Sequence, residues 1–419
     1  MTEGSRAFRT FFMPQRRASI DAIRGFCLVN IFVNHIENGF VTSLSPSRLG
    51  LSDSADLFVL LSGISTALAM HRVPPRSFRS LVGALWRRAA RLYAFNVVVI
   101  LGTVGLLAII LALRGVEGVH AAQTALLRDH GALHLLWHAL TLGQTVGYSN
   151  VLRLYIALML LAPALLHLAR LRPWAPLPPV ILLWLLAGHF GWVLPNSLSG
   201  EPFRLTILPW TLIFTIGIVV GQGLNRGVAL PRSGLLAALA VAYLVACLMP
   251  SVWEVHVWPM VSDWITTGND AFWLGASKTY QSPLRLLHVL ALAYLAMTLP
   301  DAPVIRLLHT VRHDSIVVRI GRRSLPVFVV GAIAVVGVSE GLDLVATTFP
   351  GAWLPLLILE VAAIGSYVAV ALTLDRRALA GHRRSVRPSS PDPTRTAPPP
   401  EAGSAWQATA ELPPFSPAH

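Results

Sequence analysis

The sequence predicts an all-α fold, a polytopic transmembrane bundle of about ten helices with both termini in the cytoplasm. Three observations predict it. Of 419 residues, 54% are hydrophobic and only 13% charged, with a mean hydropathy of +0.62, whereas soluble domains carry roughly one charged residue in four. Apolar runs of about 20 residues, the length that crosses hydrocarbon as a helix, recur along nearly the whole chain. Lys and Arg collect in alternate loops, as the positive-inside rule requires.

The first expected span covers 20–40 and contains SIDAIRGFCLVNIFVNHI, Ser19 to Ile36. Basic residues precede it, as in a signal peptide, but Asp21, Arg24 and His35 interrupt the apolar stretch and no clean cleavage site follows, so it reads as a retained helix. Further spans are expected at 54–71, 93–113, 150–169, 178–195, 206–223, 233–249, 284–299, 324–342 and 352–374. The segment 134–146 is shorter and reads as re-entrant or interfacial. With ten crossings, 25 of the 33 Lys and Arg residues lie on the side of the termini, in 6–17, 72–91, 170–172, 226–232, 306–323 and 376–395. The other side holds seven: Arg48, Arg114, Arg128, Arg153, Arg204, Lys278 and Arg285. This bias predicts a multi-pass protein with both termini in the cytoplasm. It also accounts for the net charge of +13, which in a soluble chain would suggest a nucleic-acid partner; none is expected here.

Three regions follow: a basic cytoplasmic N-terminus (1–18), a transmembrane domain (19–375), and a tail (376–419) rich in Pro, Ser, Ala and Thr that lacks apolar periodicity and is expected to be disordered. The outer loop from Pro250 to Pro283 holds four of the 12 tryptophans, which suits a cap at headgroup level or a sugar-facing surface, the cap being the commoner use of Trp in membrane proteins. Cys27 and Cys247 both fall in apolar segments, so neither a disulfide framework nor a thiolate metal site is expected. No internal repeat of the transporter kind is visible.

An ionisable group deep in a bilayer costs ~3 kcal/mol and normally faces a protein interior or a wet cavity. Arg24 and His35 are eleven positions apart, close to three helical turns, so they point the same way about 16 Å apart and are expected to line one cavity. Asp21, one turn before Arg24, is placed to neutralise it. The second helix begins SDSADLFVLLSGISTALAM, which brings Asp53 and Asp56 to about the depth of His35. Asp53 reads as an N-cap. Asp56 has two readings: a first-turn acid stabilised by the helix dipole, or a carboxylate that fixes the imidazole tautomer. His35 itself has a structural alternative, bonded to Asn34 or a backbone carbonyl. His288 reads as a packed core histidine, and Ser62 and Ser65 as helix-packing serines.

These residues carry a resemblance. RRASIDAIRGFCLVNIFVNHI, LSDSADLFVLLSGIS, NVLRLYIALMLLAPALL, ILPWTLIFTIGIVVGQG, KTYQSPLRLLHVLALAYL and IGRRSLPVFVVG resemble, in the same order, segments of the OpgC family of bacterial membrane proteins, part of the broader acyltransferase-3 group. Arg24 and His35 resemble the arginine, ten residues, histidine pattern of that group's first helix, and ALWRRAARLYAFN its arginine-rich segment. The chain departs at Asn34, where an acidic residue is usual, and in its Pro-rich tail.

The resemblance implies a membrane O-acyltransferase that moves an acyl group, succinyl in OpgC itself, from cytoplasmic acyl-coenzyme A to a hydroxyl of a periplasmic glucan. Acyl-coenzyme A would be a co-substrate, with no permanently bound cofactor and no metal. Such a transfer needs a base for the hydroxyl proton, and His35 is the expected one, with Asp56 orienting it. Arg24, with Asp21, is expected to bind substrate inside the span, and Lys278 and Arg285 to meet a free carboxylate on the outer side. Arg87, Arg88, Arg91, Arg322 and Arg323 are the expected contacts of the donor's phosphates, although topology alone also predicts those charges. Two other classes stay open: a proton-coupled transporter or exporter, and a non-catalytic partner in glycan synthesis.

Overall fold

The structure is a computed structural model that describes residues 15–48, 50–71, 78–228, 230–252, 271–299, 306, 310–351 and 353–386. Fourteen named α-helices cover most of these: α1 Gln15–Asn34, α2 Phe40–Ser43, α3 Ser54–Met70, α4 Phe78–Arg114, α5 Ala121–His130, α6 Ala132–Leu140, α7 Ser149–Leu171, α8 Leu177–His189, α9 Ile207–Asn225, α10 Gly234–Val252, α11 Pro283–Thr298, α12 Ile316–Arg322, α13 Ser324–Thr348 and α14 Trp353–Val386. Among the described residues there is no strand, only an isolated bridge between Pro195 and Pro202. By internal contacts residues 1–376 form one unit and 377–419 another; of the second, 377–386 are described, and they are helical.

A helix lies over each of the ten expected spans. Five of them, α4, α7, α9, α13 and α14, are long and apolar enough to cross a bilayer by length and composition, while α3, α8, α10 and α11 are shorter apolar helices. Two boundaries differ from expectation by more than ten residues. α4 starts at Phe78 and runs 37 residues, so the arginines at 79–91 lie on a helix rather than in a loop; Ala, Leu and Arg in ALWRRAARLY are all strong helix formers, and charge alone does not stop a helix. α14 continues to Val386, into the segment expected to be disordered; Arg, Ala and Leu in DRRALA are strong helix formers, and the sequence has no proline between Pro355 and Pro388. Residues 387–419, like 253–270 with three of the outer-loop tryptophans, lie outside the described residues. The segment 134–146 carries part of α6, whose nine residues rise only ~14 Å, too little to span.

Two apolar clusters organise the bundle. One gathers α3, the first half of α4, α7, α8, α9 and α11 around Trp210 and Phe214; the other gathers α1, α12, α13 and α14 around Leu28, Phe32, Val327 and Tyr367. α4 and α7 contribute to both. Helices approach closely where glycines face each other. A Cβ on Gly63 of α3 would strike the Phe214 carbonyl, and one on Gly217 of α9 would strike the Leu60 carbonyl; Gly25 of α1 and Gly321 of α12 stand in the same reciprocal relation through Val317 and Asp21. These obstacles are backbone, which cannot rotate away. G217V is therefore expected to destabilise by about 1–3 kcal/mol, read as a lower melting temperature in detergent, whereas G105A, with open space around its added carbon, should melt no lower than wild type. Equal melting for the two variants would refute the close-packing argument.

Candidate functional site

α1 ends at Asn34 and places His35 just beyond its last turn, where helix carbonyls lack amide partners. The His35 Nδ1 lies 2.6 Å from the Ile31 carbonyl oxygen. A carbonyl can only accept, so Nδ1 carries the hydrogen and Nε2 keeps its lone pair. The Tyr148 ring meets the imidazole edge-on at 4.3 Å between centroids. Its hydroxyl donates to the His35 carbonyl (3.1 Å), which also accepts from Ser339 Oγ (3.4 Å). Below the ring a narrow, mostly apolar crevice runs between α1, α7, α13 and α14, lined by His35, Ile31 and Leu28 on one side and by Tyr148, Phe328 and Tyr367 on the other.

Asp56 is not part of that arrangement, which corrects the expectation that it orients His35. It is fully buried and grips Arg285 of α11 with both oxygens, Nε to Oδ1 at 3.1 Å and Nη2 to Oδ2 at 2.5 Å. The orienting group is the Ile31 carbonyl instead. Asp53 caps α3 as expected: its side chain accepts from the Ala55 amide at 2.8 Å, and Asp56 returns the favour to the Asp53 amide at 2.8 Å, a reciprocal capping box. Asp53 Oδ2 then meets Lys278 Nζ at 2.5 Å and Arg285 Nη2 at 3.0 Å. Arg285 Nη1 donates to the Leu51 carbonyl at 2.9 Å. Two carboxylates and two cations thus form a neutral quartet that pins the start of α3 to the start of α11. Arg285, expected to meet a free carboxylate on the outer side, thus has its donors committed to Asp53, Asp56 and the Leu51 carbonyl. Lys278, whose side chain is 35% exposed, has no side-chain partner besides Asp53 among the described residues. His288 is packed, as expected, on Ser52 Oγ at 2.7 Å.

Arg24 lies on the same stripe of α1 as Leu28, Ile31 and His35. The crevice, however, ends at Leu28, which is buried, so it stops one turn short of Arg24 rather than joining the two charges. The Arg24 Nε is buried and makes no hydrogen bond. Charges acting near it include Asp21, as expected, and the guanidinium of Arg88, which itself feels Arg91. Arg88 Nη1 also reaches Thr66 Oγ1 at 3.4 Å, while Arg87 and Arg91 are exposed. Arg322 donates to the His313 carbonyl. Arg323 lies 3.6 Å from Asp375, whose other oxygen accepts from Arg319 at 3.0 Å. Because Gly321 abuts the Asp21 backbone and Gly25 abuts Val317, Arg322 and Arg323 sit beside the first half of α1, in which Arg24 also lies. That half of the helix is cationic, and the imidazole follows the last turn.

Sequence reasoning missed the companions of His35 from distant segments: Tyr148, Ser339 and Tyr367. It also missed a polar cluster beside Ser339, in which Glu340 accepts from Arg114 Nη1 (2.7 Å) and from the His120 amide (2.8 Å), while Arg114 Nη2 reaches Asp343 (2.9 Å). Closer to hand, Asn30 and Asn34 bond to Ser47 and Asn30 to Ser54 at 2.5–2.8 Å, so these amides stitch α1 to the start of α3. Among the described residues no group of His, Cys, Asp and Glu is arranged to hold a metal.

An all-helical bundle with several bilayer-length apolar helices and buried charges defines a multi-pass membrane protein. The chain belongs to the OpgC family: the family model described as OpgC protein matches residues 16–378, which is most of its length. Comparison with curated proteins and with solved structures found no match. Membership suggests a part in modifying osmoregulated periplasmic glucans and is consistent with an acyltransferase.

Proposed function

We propose that the protein is an O-acyltransferase of the inner membrane, crossing it ten times with both termini inside, that moves an acyl group from cytoplasmic acyl-coenzyme A to a hydroxyl of an envelope glucan. The observation that carries this reading is an imidazole with Nδ1–H committed to a carbonyl and Nε2 left basic, on the wall of a crevice that begins one turn beyond Arg24 and the arginines beside the first half of α1. In the reaction, Nε2 of His35 takes the proton of the sugar hydroxyl as its oxygen attacks the thioester carbonyl. The tetrahedral intermediate collapses with cleavage of the C–S bond, and the imidazolium returns the proton to the departing sulfur. An ester and a free thiol result.

Arg24 and the arginines around it, Arg87, Arg88, Arg91, Arg322 and Arg323, suit the donor's phosphates, which carry charge that lipid would not accept. The acyl arm then extends along α1, and Leu28 must turn aside for it to reach His35. If the acyl group is succinyl, Lys278 is the cation left to meet its free carboxylate. The reading predicts that cells lacking the gene lose ester-linked acyl groups from their periplasmic glucans, as seen by mass spectrometry, and regain them with the wild-type gene. Unchanged ester content would overturn it. Normal esters on a reduced amount of periplasmic glucan would point to export instead.

A further inference from the structure

On the far side of α7 from His35 lies a second, larger concavity with an unpaired charge at its head. Val151 of α7 lines the His35 crevice; Arg153, two positions on, is turned about 200° away. Arg153 is 7% exposed, its Nε has no hydrogen-bond partner, and no carboxylate lies in ion-pair range, Glu201 of the neighbouring loop included, among the described residues. Its guanidinium carbon lies over the Phe203 ring, 3.1 Å from the centroid. A buried cation without a counter-ion is costly, and aromatic stacking returns only about 0.5–2 kcal/mol.

The groove below it has a volume of about 320 Å³. Ile156, Ala157 and Leu160 continue the stripe of Arg153 at intervals of three, four and seven residues, and form its floor. Leu194 and Ile207 form the opposite wall, and Leu160 and Leu194 are 47% and 67% exposed, so the groove opens sideways onto the surface that faces lipid. Thr141 and Ser197 are the other polar side chains on it, and both hydroxyls already bond within the protein. Arg153 lies only about 6 Å inside the start of α7, close to headgroup depth.

We propose that this groove binds one acidic phospholipid, with its phosphate on Arg153 and an acyl chain along Ile156, Ala157 and Leu160. A charge at the head and an apolar track running to the lipid surface match an amphiphile better than a small soluble anion, which would leave the track empty. The full-length protein, purified in detergent and mixed with phosphatidylglycerol or phosphatidylcholine, is examined by native mass spectrometry. Wild type should retain one phosphatidylglycerol at a concentration about ten-fold lower than phosphatidylcholine. R153Q should abolish the preference and R153K keep part of it. A157W, which fills the track and leaves the arginine, should weaken both lipids. Millimolar inorganic phosphate or succinate should not displace the lipid. Equal retention of the two lipids by wild type, an undiminished preference in R153Q, or displacement by either soluble anion would each overturn the proposal. Should R153Q fail to fold, R153K and A157W decide it.

Discussion

Replacing His35 by alanine is expected to lower the rate of acyl transfer by about 10²–10⁴-fold, the usual contribution of a positioned general base, while the protein still inserts and keeps its melting temperature to within a few degrees. The residue is partly exposed, and Tyr148 and Ser339 both donate to its backbone carbonyl, which alanine retains. The measurement is the initial rate of thiol release from acyl-coenzyme A with glucan present, in detergent or in vesicles. A variant that still acylates at the wild-type rate would remove His35 from the chemistry. The same assignment fixes a sign for pH. The neutral imidazole is the active form, so the rate should fall as acid protonates it and level off on the alkaline side. A flat profile through the neutral range, with transfer itself limiting, would contradict it.

The largest effect on stability should come from Arg285. R285M removes both of the guanidinium bonds to Asp56 and the one to Asp53, and leaves the fully buried Asp56 carboxylate without its cation, with the Asp53 amide as its remaining donor. Breaking a buried pair in this way costs about 3–5 kcal/mol, enough to lower the melting temperature by many degrees or prevent accumulation in the membrane. R285K should lie between, because one ammonium cannot bridge both oxygens of Asp56. Combining R285M with D56L removes both charges and should recover much of the loss, the sign of a pairwise coupling. Were Arg285 instead a receptor for the acyl group's carboxylate, R285M would raise the KM for the donor and leave melting unchanged.

What could be read from the sequence was local. Helix class and the approximate position of each helix follow from apolar runs, and the shared stripe of Arg24 and His35 from a period of 3.6; both depend on neighbours within a few turns. The N-cap role of Asp53 was legible for the same reason. The partner of Asp56 was not, because an acid next to a helix start has a local reading and a long-range one, and the guanidinium that decides between them lies 229 residues on. Ser339, 304 residues from His35, and Tyr367 carry no local signal at all. The start of α4 was misplaced because arginines in a membrane protein report topology strongly and helix ends weakly. The constriction at Leu28 depends on how four helices pack, which periodicity does not describe.

The ionic quartet has a consequence for how the chain is made. A ribosome adding about 5–20 residues per second leaves Asp53 and Asp56 without their cations for on the order of tens of seconds after they enter the membrane. During that interval the two acids must be sheltered by water or by the insertion machinery, and the third helix has no fixed seat. Final assembly of the amino-terminal half therefore waits on a segment translated late. A chain cut short before Lys278 should be recognised by quality-control proteases however well its early helices insert.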